Sequence, residues 1–401
     1  MDTVYFASNR KKVTLGDYIV GLYILAIFVF ENAKFSKLFS IIQLLFFVYL
    51  AWMVFNYKVL PFNIYTKWIL IIFLFMIVFC FAGTNKNVNA SSIIVFKNLL
   101  KGFCITFYLY IKKNDKFLIK SIAFAGLVCG CFIITSFLSN PISNFELKYA
   151  SNSRVGVEIA GDNVNVVAMN MCFAFASCMC LAKDASKKNI KIFWYLSLAF
   201  IVFSSFFTGT RKAIAVFVII FVLANNDMKL KYKLLGLLIF FVMYWALMNI
   251  DVLYFLLGHK FDFFGNNAYK MYDYSDQIRR ELLINSWNIF KANPWGSGFG
   301  AVQSMLGVYS HNNYIEVLTS LGFFGFAFYY AIYIWFLCKS FFLRKDIFCQ
   351  FCFYTLVGIM VLEFGQITCY YPMIYVFVPL IEYIICYKEK TGIFFYESKN
   401  C

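Results

Sequence analysis

Charge and proline are both in short supply in this sequence. Only 14% of its 401 residues are charged, and it has five prolines. An ordinary soluble domain carries about 25% charged residues, so a solvated globular surface does not fit, and long disordered linkers have no room. Histidine is scarcer still, with two in the chain. No set of His, Cys, Asp or Glu stands at ligand spacing, which argues against metal chemistry. A nucleotide-driven pump would carry a phosphate-binding glycine loop, and there is none. No cofactor is expected. An internal repeat of the kind many transporters carry is missing too. Nothing reads as a cleavable signal peptide: the first apolar stretch follows Arg10, Lys11 and Lys12 and reads as a retained helix.

What is present is apolar. The chain is 62% hydrophobic and 22% aromatic, with a mean hydropathy of +0.73. A bilayer core needs about 20 apolar residues per helix. Runs of that kind fall at 14–31, 38–56, 67–83, 92–111, 117–138, 163–182, 191–208, 211–225, 233–257, 313–338, 347–367 and 372–387. These runs predict an all-α integral membrane protein with about 12 transmembrane helices.

The net charge of +16 is distributed as a topology signal, not as a nucleic-acid patch. With the N-terminus inside, the basic clusters Lys112, Lys113 and Lys116; Lys183, Lys187, Lys188 and Lys191; Lys229, Lys231 and Lys233; Arg344 and Lys345; and Lys388 and Lys390 all fall on the cytoplasmic side. The opposite loops 84–91 and 368–371 are nearly free of them. Both termini are therefore expected in the cytoplasm of a bacterial inner membrane, and no nucleic-acid partner is expected. The thirteen cysteines lie mostly inside apolar stretches. Even Cys349 and Cys352, a CxxC pair, read as buried small apolar residues.

This topology divides the chain into helices one to nine with short loops (1–257), one long periplasmic loop (258–312), and helices ten to twelve with a cytoplasmic tail (313–401). Three outer segments stand out: 139–162, with Arg154; the tight turn TGTRKA from Thr208 to Ala213; and the long loop. A long loop in a compact protein is usually functional or disordered. This one is rich in aromatics and can fold against the bundle. Asp276 is expected to cap a short helix running to about Ala292, with Arg279 and Arg280 in its first turn. The stretch NPWGSGFG, Asn293 to Gly300, reads as a tight turn.

Several charged residues invite two readings. Arg211 and Lys212 either snorkel to headgroup phosphates or clamp an anion, since a guanidinium grips phosphate bidentately. Arginines in a helix's first turn oppose its dipole, so Arg279 and Arg280 point to an anionic ligand. His311 can move a proton near neutral pH, or it caps a helix; His259 has no constellation around it. Lys97 and Lys101 share a helix face. They either meet a lipid-linked diphosphate within the membrane or snorkel outward. Outward-facing positive charge suits a substrate already energised inside the cell, because attack at an anomeric carbon expels a diphosphate.

Two stretches carry a family likeness. TGTRKAIAVFVI, Thr208 to Ile219, has small residues and then Arg opening a helix. From Arg279 the chain runs through WNIFKANPWGSGFG to HNNYIEVLTSLGFFG, ending at Gly325. In these the chain resembles the O-antigen polymerase and ligase superfamily of bacterial envelope biogenesis. The resemblance implies a glycosyltransferase-C-like helical bundle and metal-independent, inverting transfer of a glycan from undecaprenyl diphosphate to an acceptor glycan. Carried over, Arg211 with Arg279 or Arg280 would hold the diphosphate, and His311 would orient or deprotonate the acceptor hydroxyl. Arg154, Lys212, Lys97, Lys101 and Asn312 would contact substrate. The implied partners are membrane lipid, a chain-length regulator and a flippase. The intact PxxGxG-like and HNNY stretches resemble the polymerase more than the ligase. A transporter of lipid-linked oligosaccharides is the competing class, with Lys97 and Lys101 in its favour.

Overall fold

The computed structural model describes residues 13–29, 36–57, 63–82, 88–139, 164–208, 210–225, 241, 242, 245, 249 and 271–390, with backbone alone at 79–82, 88–90, 137, 164, 211, 271–276 and 390. Thirteen helices are described: α1 (Leu15–Val29), α2 (Ser36–Tyr57), α3 (Ile64–Ala82), α4 (Val88–Lys112), α5 (Asp115–Ser139), α6 (Val164–Asp184), α7 (Lys188–Phe206), α8 (Arg211–Ala224), α9 (Met271–Ala292), α10 (Ala301–Leu306), α11 (Asn313–Phe342), α12 (Ile347–Glu363) and α13 (Ile374–Lys390). Two of these, α9 and α10, lie within 258–312, so eleven stand where apolar runs predict spans. The remaining expected span, 233–257, lies outside the described residues, except that Phe241, Val242, Trp245 and Asn249 are helical. No strand occurs among the described residues. Helices α2, α4, α5, α6, α7 and α11 are long and apolar enough to cross a bilayer, and α1, α3, α8 and α12 are shorter and apolar. The chain is an all-α, multi-pass membrane protein.

Side-chain size sorts centre from periphery. In α6, 89% of the apolar window is buried, against 22% in α2. Ala168, Ala174, Ala176, Ser177, Cys178, Cys180 and Ala182 make α6 slender, and small residues let neighbouring backbones approach closely in a membrane. Phe173 of α6 stacks on Phe377 of α13 with ring centroids 4.2 Å apart. Helix α13 is buried from Ile374 to Ile385, which a helix apolar all round requires. Its one inward carboxylate, Glu382, accepts the Tyr65 N–H at the start of α3, 3.0 Å away. Helix α2 instead exposes Leu44, Val48, Trp52 and Phe55, an apolar face suited to lipid. Cys349 and Cys352 are buried free thiols.

The basic turns gather at one end of the bundle. Lys116 at the start of α5 pairs with Asp184 at the end of α6. Lys183 reaches the Ala224 carbonyl at the end of α8 and Gln350 Oε1 at the start of α12. Asp346 caps α12 by accepting from the N–H groups of Phe348 and Cys349. Its other oxygen takes Lys388 of α13 at 2.7 Å. The opposite end holds the α7–α8 turn, residues 293–312 and the α12–α13 connection, residues 364–373.

Candidate functional site

Helix α8 opens immediately after a tight turn. Thr208 Oγ1 donates to the Ser205 carbonyl at 2.7 Å and lies 2.8 Å from Thr210 Oγ1, so the two hydroxyls hold the turn closed. Arg211 is the first residue of α8, and its side chain lies outside the described residues. Lys212, next along, donates its ammonium to the Gly365 carbonyl. That bond docks the first turn of α8 onto the α12–α13 connection.

The same connection receives the start of α11. Asn312 is the N-cap: its Oδ1 accepts the Ile315 N–H at 3.1 Å, and its Nδ2 donates to the Phe364 carbonyl at 3.2 Å. Asn313 is fully buried. Its Oδ1 accepts the N–H groups of Thr368 and Cys369 at 2.9 and 3.0 Å, and its Nδ2 donates to Tyr330 OH at 2.9 Å. These bonds fix the 364–373 segment on the end of α11. His311, just before, has φ of +58°, uncommon for a residue with a Cβ. It is half-buried, and its ring lies beside that of Tyr309, centroids 4.4 Å apart.

Helix α11 is broken at Gly322, where φ is +69° and ψ −176°, backbone open almost only to glycine. A break inside a helix strips backbone groups of their partners, and the glycine-rich turn supplies new ones. Ser297 N–H donates to the Thr319 carbonyl and Gly298 N–H to the Ser320 carbonyl, both at 2.8 Å; Phe323 N–H donates to the Pro294 carbonyl at 3.0 Å. A Cβ on Gly322 would overlap the Trp295 backbone and stand 2.6 Å from the Pro294 oxygen. The PWGSG turn and the GFFG stretch are thus two halves of one joint.

Helix α9 leads into that joint. It begins at Met271, not at Asp276, which corrects the expected cap: Met271, Tyr272 and Tyr274 extend the helical pattern upstream. Arg279 and Arg280 therefore sit about two turns into the helix, where the dipole argument for an anion has no force. Side-chain direction separates them. Arg279 is half-buried on the face that carries the buried Leu282 and Ser286, and the Ser286 carbonyl accepts Thr319 Oγ1 of α11 at 3.4 Å. Arg280, a hundred degrees around, is exposed.

The two α4 lysines also part company. Lys97 is exposed, whereas Lys101 is 6% exposed, with its ammonium 5.8 Å from the centre of the Phe39 ring. One turn earlier, Asn98 donates to the Tyr370 carbonyl at 2.8 Å, so Lys101 lies just below the α12–α13 connection. Arg154 lies outside the described residues. Among the described residues no group of three or more His, Cys, Asp or Glu could hold a metal ion.

The structure thus draws the starts of α8 and α11 together, lays the 293–300 turn on α11, and turns Arg279 but not Arg280 toward α11. Asn313, read in the sequence only as part of the HNNY stretch, and the 364–373 connection, read only as topology, were not singled out there. The doubled asparagine of HNNY and the polar cluster GQITCYY between two apolar runs were the available signals.

Residues 196–330, about a third of the chain, match the family described as O-antigen ligase. The match begins within α7 and spans α8, α9, α10 and the first part of α11, with Arg211, Lys212, Arg279, Arg280, His311 and Asn312 inside it. Lys97, Lys101, Arg154 and the 364–373 connection fall outside. No curated protein matches the chain.

Proposed function

We propose, for a chain whose residues 196–330 carry a domain of the O-antigen ligase and polymerase superfamily, that it is an O-antigen polymerase joining undecaprenyl-diphosphate-linked repeat units. The choice of polymerase rests on the likeness of the PxxGxG-like and HNNY stretches, and one observation supports glycan transfer at this end of the bundle. Lys212 and Asn312 bond to adjacent carbonyls, Gly365 and Phe364, and Arg211 and His311 immediately precede them in the chain. In this reading Arg211 and His311 act together from two helix starts that bond to one connection. In this reading that end of the bundle faces the periplasm, because the basic turns gather at the other end.

The chemistry follows from these groups. The acceptor hydroxyl oxygen attacks the donor's anomeric carbon as the bond from that carbon to the diphosphate oxygen breaks. The electron pair leaves with undecaprenyl diphosphate, and the hydroxyl proton passes to the His311 imidazole. Arg211 and Arg279 stabilise the charge that develops on the diphosphate, which needs no metal. Attack opposite the leaving group inverts the anomeric centre. Lys101, buried beneath the connection, and Asn312 line the path of the lipid-linked substrate; Arg280, Lys97, Lys212 and Arg154 contribute positive charge around it.

The ligase reading, with lipopolysaccharide core sugar as acceptor, is favoured by the description of the matched family itself. Deleting the gene and examining the lipopolysaccharide ladder separates the two. Loss of long chains with a single repeat retained on the core is the polymerase result. Complete loss of O-antigen from the core, with lipid-linked polymer accumulating, is the ligase result. An unchanged ladder refutes both.

A further inference from the structure

We infer that Glu316 is the positioning residue for His311, acting through hydrogen bonds that join the three backbone segments around it. The inference rests on the role proposed above for His311. Glu316 lies in the first turn of α11 with no exposed surface, and each carboxylate oxygen has its own task. Oε2 accepts from Ser310, from the hydroxyl at 2.7 Å and from the N–H at 3.3 Å. Ser310 Oγ also lies 2.9 Å from the Asn312 carbonyl, so the residues on both sides of His311 are tied down. Oε1 accepts the Tyr370 hydroxyl at 3.0 Å, and that hydroxyl oxygen in turn accepts the Gly300 N–H at 3.0 Å.

One carboxylate therefore joins the backbone at His311, the α12–α13 connection and the end of the glycine-rich turn. His311 needs such bracing, since its left-handed φ of +58° is a conformation that a residue with a side chain keeps only when its surroundings over-determine it. Burial, and then the Glu316 carboxylate, push the Tyr370 phenol well above its ordinary value, so Tyr370 stays a donor to Glu316. A catalytic group displaced by about 1 Å can lose 10²-fold in rate.

The test uses full-length protein in lipid nanodiscs and lipid-linked oligosaccharide extracted from cells lacking the protein. Glu316→Ala, which leaves the buried Ser310 and Tyr370 donors without their acceptor and lowers the melting midpoint by several degrees, is expected to lower kcat about 10²-fold with KM for the lipid-linked donor unchanged, at temperatures where the variant is fully folded. Glu316→Gln, whose amide oxygen can still accept from Ser310, recovers part of the rate. Tyr370→Phe, the milder variant should Glu316→Ala fail to fold, lowers kcat by about tenfold. In a His311→Ala background, Glu316→Gln causes no further loss. Wild-type kcat in Glu316→Ala and Tyr370→Phe, beside an inactive His311→Ala, overturns the positioning role alone. Losses that multiply in the double variant, or that appear only at temperatures where the variant is partly unfolded, overturn it too. Full activity of His311→Ala overturns the role of His311 and this inference with it.

Discussion

Replacing Gly322 with alanine tests the joint between the glycine-rich turn and α11. The Cβ would overlap the Trp295 backbone and come within 2.6 Å of the Pro294 oxygen, neither of which is the end of a flexible side chain. The backbone at φ +69°, ψ −176° would itself cost about 1–3 kcal/mol for a residue with a Cβ. Relieving the overlap means lifting the 294–298 turn, which breaks the bonds from Ser297, Gly298 and Phe323, each with a net value of about 1 kcal/mol. The sum is about 4–6 kcal/mol, a shift of roughly 10³ or more in the docked fraction of the turn. Gly307 is the control. Its φ is +74° but a Cβ there meets nothing within 4 Å, so its alanine variant bears the backbone strain alone. Complementation of a deletion strain, with hydrogen exchange at residues 294–300, provides the readout. Gly322→Ala should fail to restore long chains and lose protection in the turn, while Gly307→Ala restores them. A Gly322→Ala protein with normal chains and normal protection would refute the joint.

Two other substitutions discriminate between neighbours. Arg279→Ala should lower transfer about 10²-fold or more, as expected on removing a group that stabilises developing charge, whereas Arg280→Ala, on the exposed side, should stay within a few fold; initial rates with lipid-linked donor decide, and equal losses would contradict the assignment by face. Asn313→Leu leaves the N–H groups of Thr368 and Cys369 and the Tyr330 hydroxyl without the asparagine. At about 1–3 kcal/mol for each buried group left unsatisfied, it should lower the melting midpoint by several degrees, and an unchanged midpoint would count against Asn313 as the anchor of the 364–373 connection.

The helices were legible because a bilayer enforces long apolar runs, and each described helix at an expected span keeps its place to within a few residues. The end of α9 at Ala292 was legible too, but its start was not, since Asp276 offers a capping signal inside a helix that begins at Met271. The break in α11 was invisible for another reason: SLGFFG is as apolar as its surroundings, and only the backbone bonds from Ser297 and Gly298 reveal that the helix stops. The difference between Arg279 and Arg280 depended on the helix phase, which the register of Leu282 and Ser286 fixes once the contact with α11 is known. Lys212 reads in sequence as a snorkelling side chain or an anion clamp, yet its ammonium reaches the Gly365 carbonyl, a partner 153 residues away. Tyr370 was legible least of all, because its bonds to Glu316, Gly300 and Asn98 come from three segments that meet only in the folded bundle.

The most direct measurement is mass spectrometry of the products formed when purified protein in nanodiscs meets undecaprenyl-diphosphate-linked repeat units. The account predicts lipid-linked products of two or more repeats, released undecaprenyl diphosphate, and neither product with the His311→Ala protein. Donor left at a single repeat by correctly folded protein, or polymer made equally well without His311, would contradict it.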